Sequence, residues 1–274
     1  MRAQQRQKGR RTIRPDSYRR LAEREERYWW HRARRRMAVG LLRKYGLGSD
    51  IRAVDIACGC GGNFQVFDLF KPKLVAGIEL SPIALGYARR KAPEALLVRA
   101  DLNADAPFSD ESFDVATVFN AFYHEWVKDD RAMLRRIGRL LRPGGLLVLT
   151  EPAFEALRRE MDRAAMGRRR YTLPGIRELA ESAGLEFVFG SYFSSFVFPL
   201  ALGMGIADRV RSRRPAAALA AEQLDLNALG ERTNESLYRL AAWEADAIVR
   251  GLRVPFGVTL VAVLRRSGGG LRSP

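Results

Sequence analysis

The ten residues VDIACGCGGN, 54–63, set a glycine-rich turn directly behind a short apolar run and put an aspartate, Asp55, inside that run. A turn between a first strand and a helix, as expected here, is where doubly wound sheets hold their ligand, because the helix N-terminus offers free N–H groups and glycines let the backbone approach closely. Gly59 and Gly61 fit that role. From Ile51 onward, short apolar runs alternate with helix-length amphipathic segments, which predicts βαβ units and a largely parallel sheet. Strands are expected at 52–57, 74–79, 95–99, 113–119 and 145–150, with a terminal strand in GVTLVAVLRR. Ser81 and Pro82 mark a helix start, two aspartates at 129–130 mark another, and a third helix runs from about Pro174 to Ala183.

Working outward, the 274 residues suit one α/β core with an elaboration. Residues 1–15 read as a basic tail, and 16–195 as a helical lead-in joined to the core. Residues 196–256 read as a helical insertion or lid, too long for a plain loop, followed by the terminal strand at 257–266 and a short tail at 267–274. The formal net charge of +16 is concentrated at the start, where residues 1–36 hold fourteen Arg or Lys against four acids. Such a tail suits phosphates or an anionic membrane surface, or is a solvated leader; it has no aromatic residue before Tyr18 on which bases could stack. The charge-free run 187–207 is long enough to span a bilayer, but its serines, glycines and mid-run proline read as a strand followed by a buried or interfacial helix. The two cysteines, Cys58 and Cys60, are too close for a zinc knuckle or a disulfide, so no metal is expected. The N-terminus lacks an apolar signal segment, and a cytoplasmic protein, peripheral at the membrane if its lid engages lipid, is the expectation.

The residues around the turn discriminate between ligands. A dinucleotide fingerprint needs a third glycine where this chain has Phe64, and Asp55 would face the phosphates with a negative charge. A ligand with an ammonium, a sulfonium and a ribose but no phosphate turns both features into advantages, and S-adenosylmethionine has those groups. Asp55 then serves the amino group or holds the loop amides, and Glu79, at the end of the second strand, accepts from the two ribose hydroxyls. Asp101 and the Leu102 N–H, after the third strand, meet the adenine.

With VDIACGCG, GIELSP, RADLNADAPFSDESFDVATVFNAF and LRRIGRLLRPGGLLVLTEP in this order, the chain resembles the class I S-adenosylmethionine-dependent methyltransferases over roughly residues 50–152. The resemblance implies a Rossmann-like, doubly wound, mostly parallel seven-stranded sheet with helices on both faces and an antiparallel last strand. The methyl donor would lie above the ends of strands one to four, against Asp55, Ala57, Gly59, Gly61, Glu79, Leu80, Asp101, Leu102 and Asn120. Ala57 stands where the family has its usual first glycine. Beyond the core, EWVKDD (125–130) and EMDRAAMGRRRYT (160–172) are similar to a bacterial branch acting on small molecules, saccharides or lipids, with its three histidines replaced by Trp126, Met161 and Arg168.

Methyl transfer is an in-line displacement in which the protein aligns the nucleophile and, for a hydroxyl, removes a proton. His124 follows the fourth strand and is the candidate base, with Tyr123 and Glu125 as rivals. His31, in an aromatic and arginine cluster, reads as surface helix. Arg169, Arg170 and Tyr171 suit an anionic group of the acceptor. Together with DRVRSRR (208–214), the charge-free run suggests an apolar and basic lid. The expected function is methyl transfer to a small-molecule, lipid or saccharide acceptor. An RNA acceptor and a non-catalytic binding protein reached through the basic tail stand as alternatives.

Overall fold

The computed structural model describes residues 15–104, 106–159, 162, 165–211 and 229–268; most of the basic tail and the middle of the insertion lie outside them. Two helices lead in, α1 (Pro15–Arg27) and α2 (Trp29–Lys44). The sheet begins with β1 (Arg52–Ile56), β2 (Leu74–Glu79), β3 (Leu96–Arg99) and β4 (Phe113–Phe119). It is completed by β5 (Leu141–Pro152), β6 (Leu185–Phe193) and β7 (Thr259–Arg266). Their order is β3-β2-β1-β4-β5-β7-β6, parallel through β5, with β7 antiparallel to both of its neighbours. Strands are added outward to one side from β1 and to the other from β4, and this reversal of strand order between two parallel neighbours creates the switch point at which such sheets take their ligand.

Helix α3 (Pro82–Lys91) starts where the sequence predicts, with Ser81 Oγ accepting from Ala84 N–H at 3.3 Å. Helix α4 (Asp130–Leu140) is capped by Asp129, whose carboxylate accepts from Ala132 N–H at 2.9 Å. It passes straight into β5, so that strand starts earlier than its apolar run alone suggests. Helix α5 (Leu173–Ser182) follows the Thr172 cap. Helices α4 and α5 cover one face of the sheet, where Met133, Leu134, Ile137, Ile176 and Ala180 pack on Ile56, Ile78, Val118 and Leu149.

The other face carries a correction. No helix follows the glycine turn; two 3-10 turns, Phe64–Val66 and Asp68–Phe70, take its place. Phe64, Phe67 and Phe70 are all buried, and their spacing of three is the period at which a 3-10 turn puts side chains on one face. The charge-free run divides, as the sequence suggests, into β6 and then α6 (Phe198–Arg211), and among the described residues no helix is long and apolar enough to cross a membrane. Helix α7 (Glu231–Arg250), from the expected insertion, lies along α2. Its Ala241, Ala245 and Ile248 share one core with Ala33, Met37 and Leu41 of α2 and with Val115, Val148 and Val261 of the sheet. The Arg36 guanidinium grips Asp246 through two hydrogen bonds of 2.7 and 2.9 Å, so the insertion completes a layer of the sandwich.

Candidate functional site

The glycine turn is wound tightly at the C-terminal end of β1. Gly61 sits at φ +84°, and a Cβ there would meet the Ala88 Cα of α3 at 2.9 Å, so only glycine permits this approach. Ala57 adopts φ +56°, the left-handed conformation a glycine takes without strain, which explains how alanine stands at that position and what it costs, about 1 kcal/mol. Phe64 fills the space in which a third fingerprint glycine would bring a helix onto the strand, lying beside both Gly61 and Gly77.

Three predicted carboxylates stand at the ends of three strands. Asp55 is fully buried; its Oδ1 accepts from Thr117 Oγ at 2.6 Å, while Oδ2 is buried without a hydrogen-bond partner. Burial lifts its pKa to about 7, against the Thr117 hydroxyl and the Arg34 charge, which favour the ionised form. Glu79 ties the turn to β2, with Oε2 accepting from Gly59 N–H at 3.1 Å and Oε1 from Ser81 N–H at 2.7 Å. Each of those oxygens keeps a second lone pair. Asp101 organises its own loop, its Oδ1 accepting from the Asn103 main chain at 3.0 Å and side chain at 2.7 Å. Leu80 and Leu102 flank these acids, both half-buried. Asn120 ends β4 at φ +58°, its N–H on Thr150 O at 2.7 Å.

The lead-in helices roof this site, which the sequence does not announce. Glu25 of α1 is 4% exposed and accepts from Gly62 N–H at 2.9 Å; a Cβ on Gly62 would collide with it at 2.5 Å. Burial raises the Glu25 pKa, opposed chiefly by the Lys91 ammonium. Arg34 of α2 is 3% exposed and reaches across to Asn63 Oδ1 at 2.9 Å and Asn120 Oδ1 at 3.3 Å. His31 is not on an open helix face, as the sequence suggests. Its Nδ1 lies 3.2 Å from Arg34 Nη2, and burial, then the Arg34 charge, holds its pKa well below the usual value. Both residues sit among fourteen arginines and lysines of the first 36 residues, so composition hides them.

After β4, the backbone wraps a second unannounced acid. Glu151, at the end of β5 and fully buried, accepts from the N–H groups of Ala121 (3.0 Å), Phe122 (2.8 Å) and Tyr123 (3.2 Å), and burial raises its pKa to about 8. The candidate base, His124, is wedged between Tyr123 and Trp126, with ring centroids 4.1 and 4.9 Å away. Its Nδ1 is buried without a partner, and burial pulls its pKa down to about 4. Burial pushes the Tyr123 phenol up, and Glu125 is exposed.

The arginine and tyrosine motif is committed internally. Tyr171 donates to Asp130 at 2.8 Å and approaches Phe122 O at 3.0 Å, Arg169 pairs with Asp130 at 2.6 Å, and Arg170 holds Asp162 at 3.0 Å and Ala153 O at 3.1 Å. Arg169 and Tyr171 thus fasten this segment onto the start of α4 and the post-β4 loop, and Arg170 ties Asp162 to the end of β5, where the sequence expects all three to meet an acceptor. Arg168, in place of a branch histidine, also pairs with Asp130, at 3.3 Å. Met161 and the end of DRVRSRR lie outside the described residues. Further out, an aromatic row runs from Tyr192 and Phe154 (4.5 Å) through Phe198 (5.7 Å) to Phe256 (5.2 Å), placing α6 beside the end of β5. Cys58 and Cys60 are both buried and form no disulfide, the Cys60 thiol donating to Tyr18 O at 3.5 Å, and among the described residues no group of side chains is arranged to hold a metal.

Residues 54–149 match a family described as a methyltransferase domain. A trans-aconitate 2-methyltransferase of Methylobacterium nodulans is 32% identical over 136 residues, 46% of this chain and 50% of that protein. A dTDP-4-amino-2,3,4,6-tetradeoxy-D-glucose N,N-dimethyltransferase of Saccharopolyspora spinosa is 38% identical over 98 residues, 35% of this chain and 38% of that protein. The chain thus spans about half the length, or less, of these curated relatives. Among solved structures, Haemonchus contortus phosphoethanolamine N-methyltransferase 2 in complex with S-adenosyl-L-methionine shares the fold at 19% identity with a TM-score of 0.53, covering 84% of this chain and 52% of that one.

Proposed function

The chain belongs to the class I S-adenosylmethionine-dependent methyltransferases, and from that premise we propose that it moves the donor's methyl group to a small-molecule acceptor. The observation that carries this reading is the set of carboxylates Asp55, Glu79 and Asp101 at the ends of β1, β2 and β3 around a glycine turn with no phosphate cradle. The donor set fits: Asp55 Oδ2, buried and unpartnered, suits an ammonium group, and the free lone pairs of Glu79 suit vicinal hydroxyls. Bound there, the donor supplies a methyl carbon activated by its sulfonium. The chain's own residues orient, exclude water and manage protons. Thr117 and Asn63 fix the two flanks of Asp55 and Arg34, Glu151 holds the 121–123 backbone, and Asn120 ends β4 at the switch point.

The acceptor class follows from the base. A histidine whose pKa lies near 4 is neutral at pH 7 but a poor acceptor of an alcohol proton. The reading therefore favours acceptors whose nucleophilic atom needs little help, a carboxylate oxygen or a neutral amine, over an unactivated saccharide or lipid hydroxyl. The relatives named for trans-aconitate and for an aminosugar agree with that preference. The aromatic row along α6 would accept an apolar part of the acceptor. Incubation with donor carrying a labelled methyl group and separate panels of carboxylic acids, amines, sugars and lipids tests the proposal. Label transfer to hydroxyl-only acceptors, with none to acids or amines, would reverse the preference; no transfer to any panel would reject it.

A further inference from the structure

Among the described residues, six of the nine large apolar side chains that stand exposed lie between Leu200 and Phe256, outside the segment 54–149 that matches the family. Two of them share one face of α7. Trp243 is 66% exposed and Leu240 44%, three residues apart. With Arg232, Ser236, Arg239 and Arg250 they form one stripe at helical spacing, turned away from the Ala241, Ala245 and Ile248 edge that packs on the sheet. A tryptophan left in water beside a leucine, on a helix whose opposite side is core, marks a surface that meets something else.

The charges of the helix sort in the same way. Glu235 faces α2, paired with Arg32 at 2.8 Å, and Asp246 is held by Arg36 at 2.7 Å. Glu244 is buried and accepts from the N–H groups of Ser194 at 3.0 Å and Ser195 at 2.9 Å. No acid falls on the outward stripe. Arg232 and Arg250 form no ion pair among the described residues, and Arg239 reaches Glu235 only at 3.7 Å. Leu252, 52% exposed, and the exposed Arg253 carry the same mixture past the helix end. A basic stripe bearing Trp and Leu suits the interface of an anionic bilayer, where arginines meet lipid phosphates and the apolar side chains enter the boundary between headgroups and acyl chains. We propose that the outward stripe of α7 docks the protein on an anionic lipid surface. Charge complementarity selects that occupant. A second copy would set arginine against arginine, and a nucleic acid would engage the arginines and Trp243 yet give Leu240 nothing apolar to enter. The helix would lie along the surface without crossing it, and docking is independent of which acceptor is methylated.

Co-sedimentation of the full chain with phosphatidylcholine vesicles, with and without phosphatidylglycerol, tests the docking in wild type, Trp243→Ala and the double variant Arg232→Gln/Arg250→Gln, with thermal melts to verify folding. Wild type is expected to pellet with the anionic vesicles alone and to be released by salt. Each arginine near such a surface contributes about fivefold in affinity, so the double variant should bind roughly 25-fold more weakly, and Trp243→Ala at least about tenfold more weakly. A second measurement needs no variant. Trp29 is buried and Trp30 and Trp126 are half-buried, so acrylamide quenching of the wild type reads Trp243 first, and anionic vesicles should shield it. Absence of binding, equal binding to uncharged vesicles, or binding that the variants keep undiminished overturns the assignment; the last would give the vesicles to the basic residues before α1. A doubled mass in light scattering that Trp243→Ala halves would give the stripe to a second copy instead. Binding to single-stranded RNA that Trp243→Ala weakens, with no vesicle binding, would give it to nucleic acid.

Discussion

Replacing Glu79 with glutamine changes one acceptor oxygen into an NH2 group, and the local geometry makes that substitution severe. Both oxygens already accept from the main chain, Oε2 from Gly59 at 3.1 Å and Oε1 from Ser81 at 2.7 Å, so whichever way the amide turns, its NH2 faces a backbone N–H. One bond across the turn becomes a donor-to-donor contact, and one of the two charged hydrogen bonds assigned to the ribose is lost. A hydrogen bond to an ionised group contributes roughly 1.5–3 kcal/mol, which corresponds to about a 10- to 150-fold rise in Kd for the donor. Glu79→Ala removes both ribose bonds and is expected to weaken binding further, beyond about 100-fold. The assay is calorimetric titration of wild type and both variants with S-adenosylmethionine, with thermal melts to verify folding. A folded Glu79→Gln that binds within about threefold of wild type would refute the ribose assignment, because that assignment leaves one ribose hydroxyl without its charged acceptor.

Two further outcomes follow from the buried groups. Burial lifts Asp55 to about 7 and Glu151 to about 8, so above their unfolded values near ~4 the folded chain holds more protons than the unfolded one, and both groups lower stability as pH rises. His124, pulled down to about 4, and His31 act in the opposite sense while unfolded histidines titrate, half of them by about 6.5 and nearly all by about 7.5. Above that only the carboxylates remain, and stability should fall by up to ~1.4 kcal/mol per pH unit for each titrating group until about pH 8. Urea melts across that interval check the slope, which Glu151→Gln should flatten; stability that climbs instead would contradict the burial argument. Tyr171→Phe removes the hydroxyl bonded to Asp130 and near Phe122 O, and is expected to lower stability by about 1–3 kcal/mol while leaving the acceptor KM within about twofold. An unchanged melt with a raised KM would return Tyr171 to the acceptor.

The strands and the glycine turn are legible because short continuous apolar runs, caps and turn residues act locally: the strands are buried on both faces, and Ser81, Asp129 and Thr172 each cap the helix that follows. The two 3-10 turns were legible in principle through the three-residue spacing of Phe64, Phe67 and Phe70, but that spacing also fits part of a helix. What sequence does not carry is which distant polar group meets which. Arg34 and Arg19 look alike in a run of arginines, and only the packing of α2 on the sheet turns one of them inward. Arg169, Arg170 and Tyr171 read as ligand-seeking because Asp130 and Asp162, which satisfy them, become neighbours only after folding. Glu151 was visible as an acid behind β5, yet its work of holding three backbone N–H groups depends on how the chain turns after Asn120.

The central claim is that VDIACGCGGN, with Glu79 and Asp101, takes S-adenosylmethionine and not a dinucleotide. Parallel calorimetric titrations of the full chain with S-adenosylmethionine and with NAD test it most directly. Saturable micromolar binding of the first, with no detectable heat from the second, is the expected result. Binding of NAD, or of neither, would contradict it.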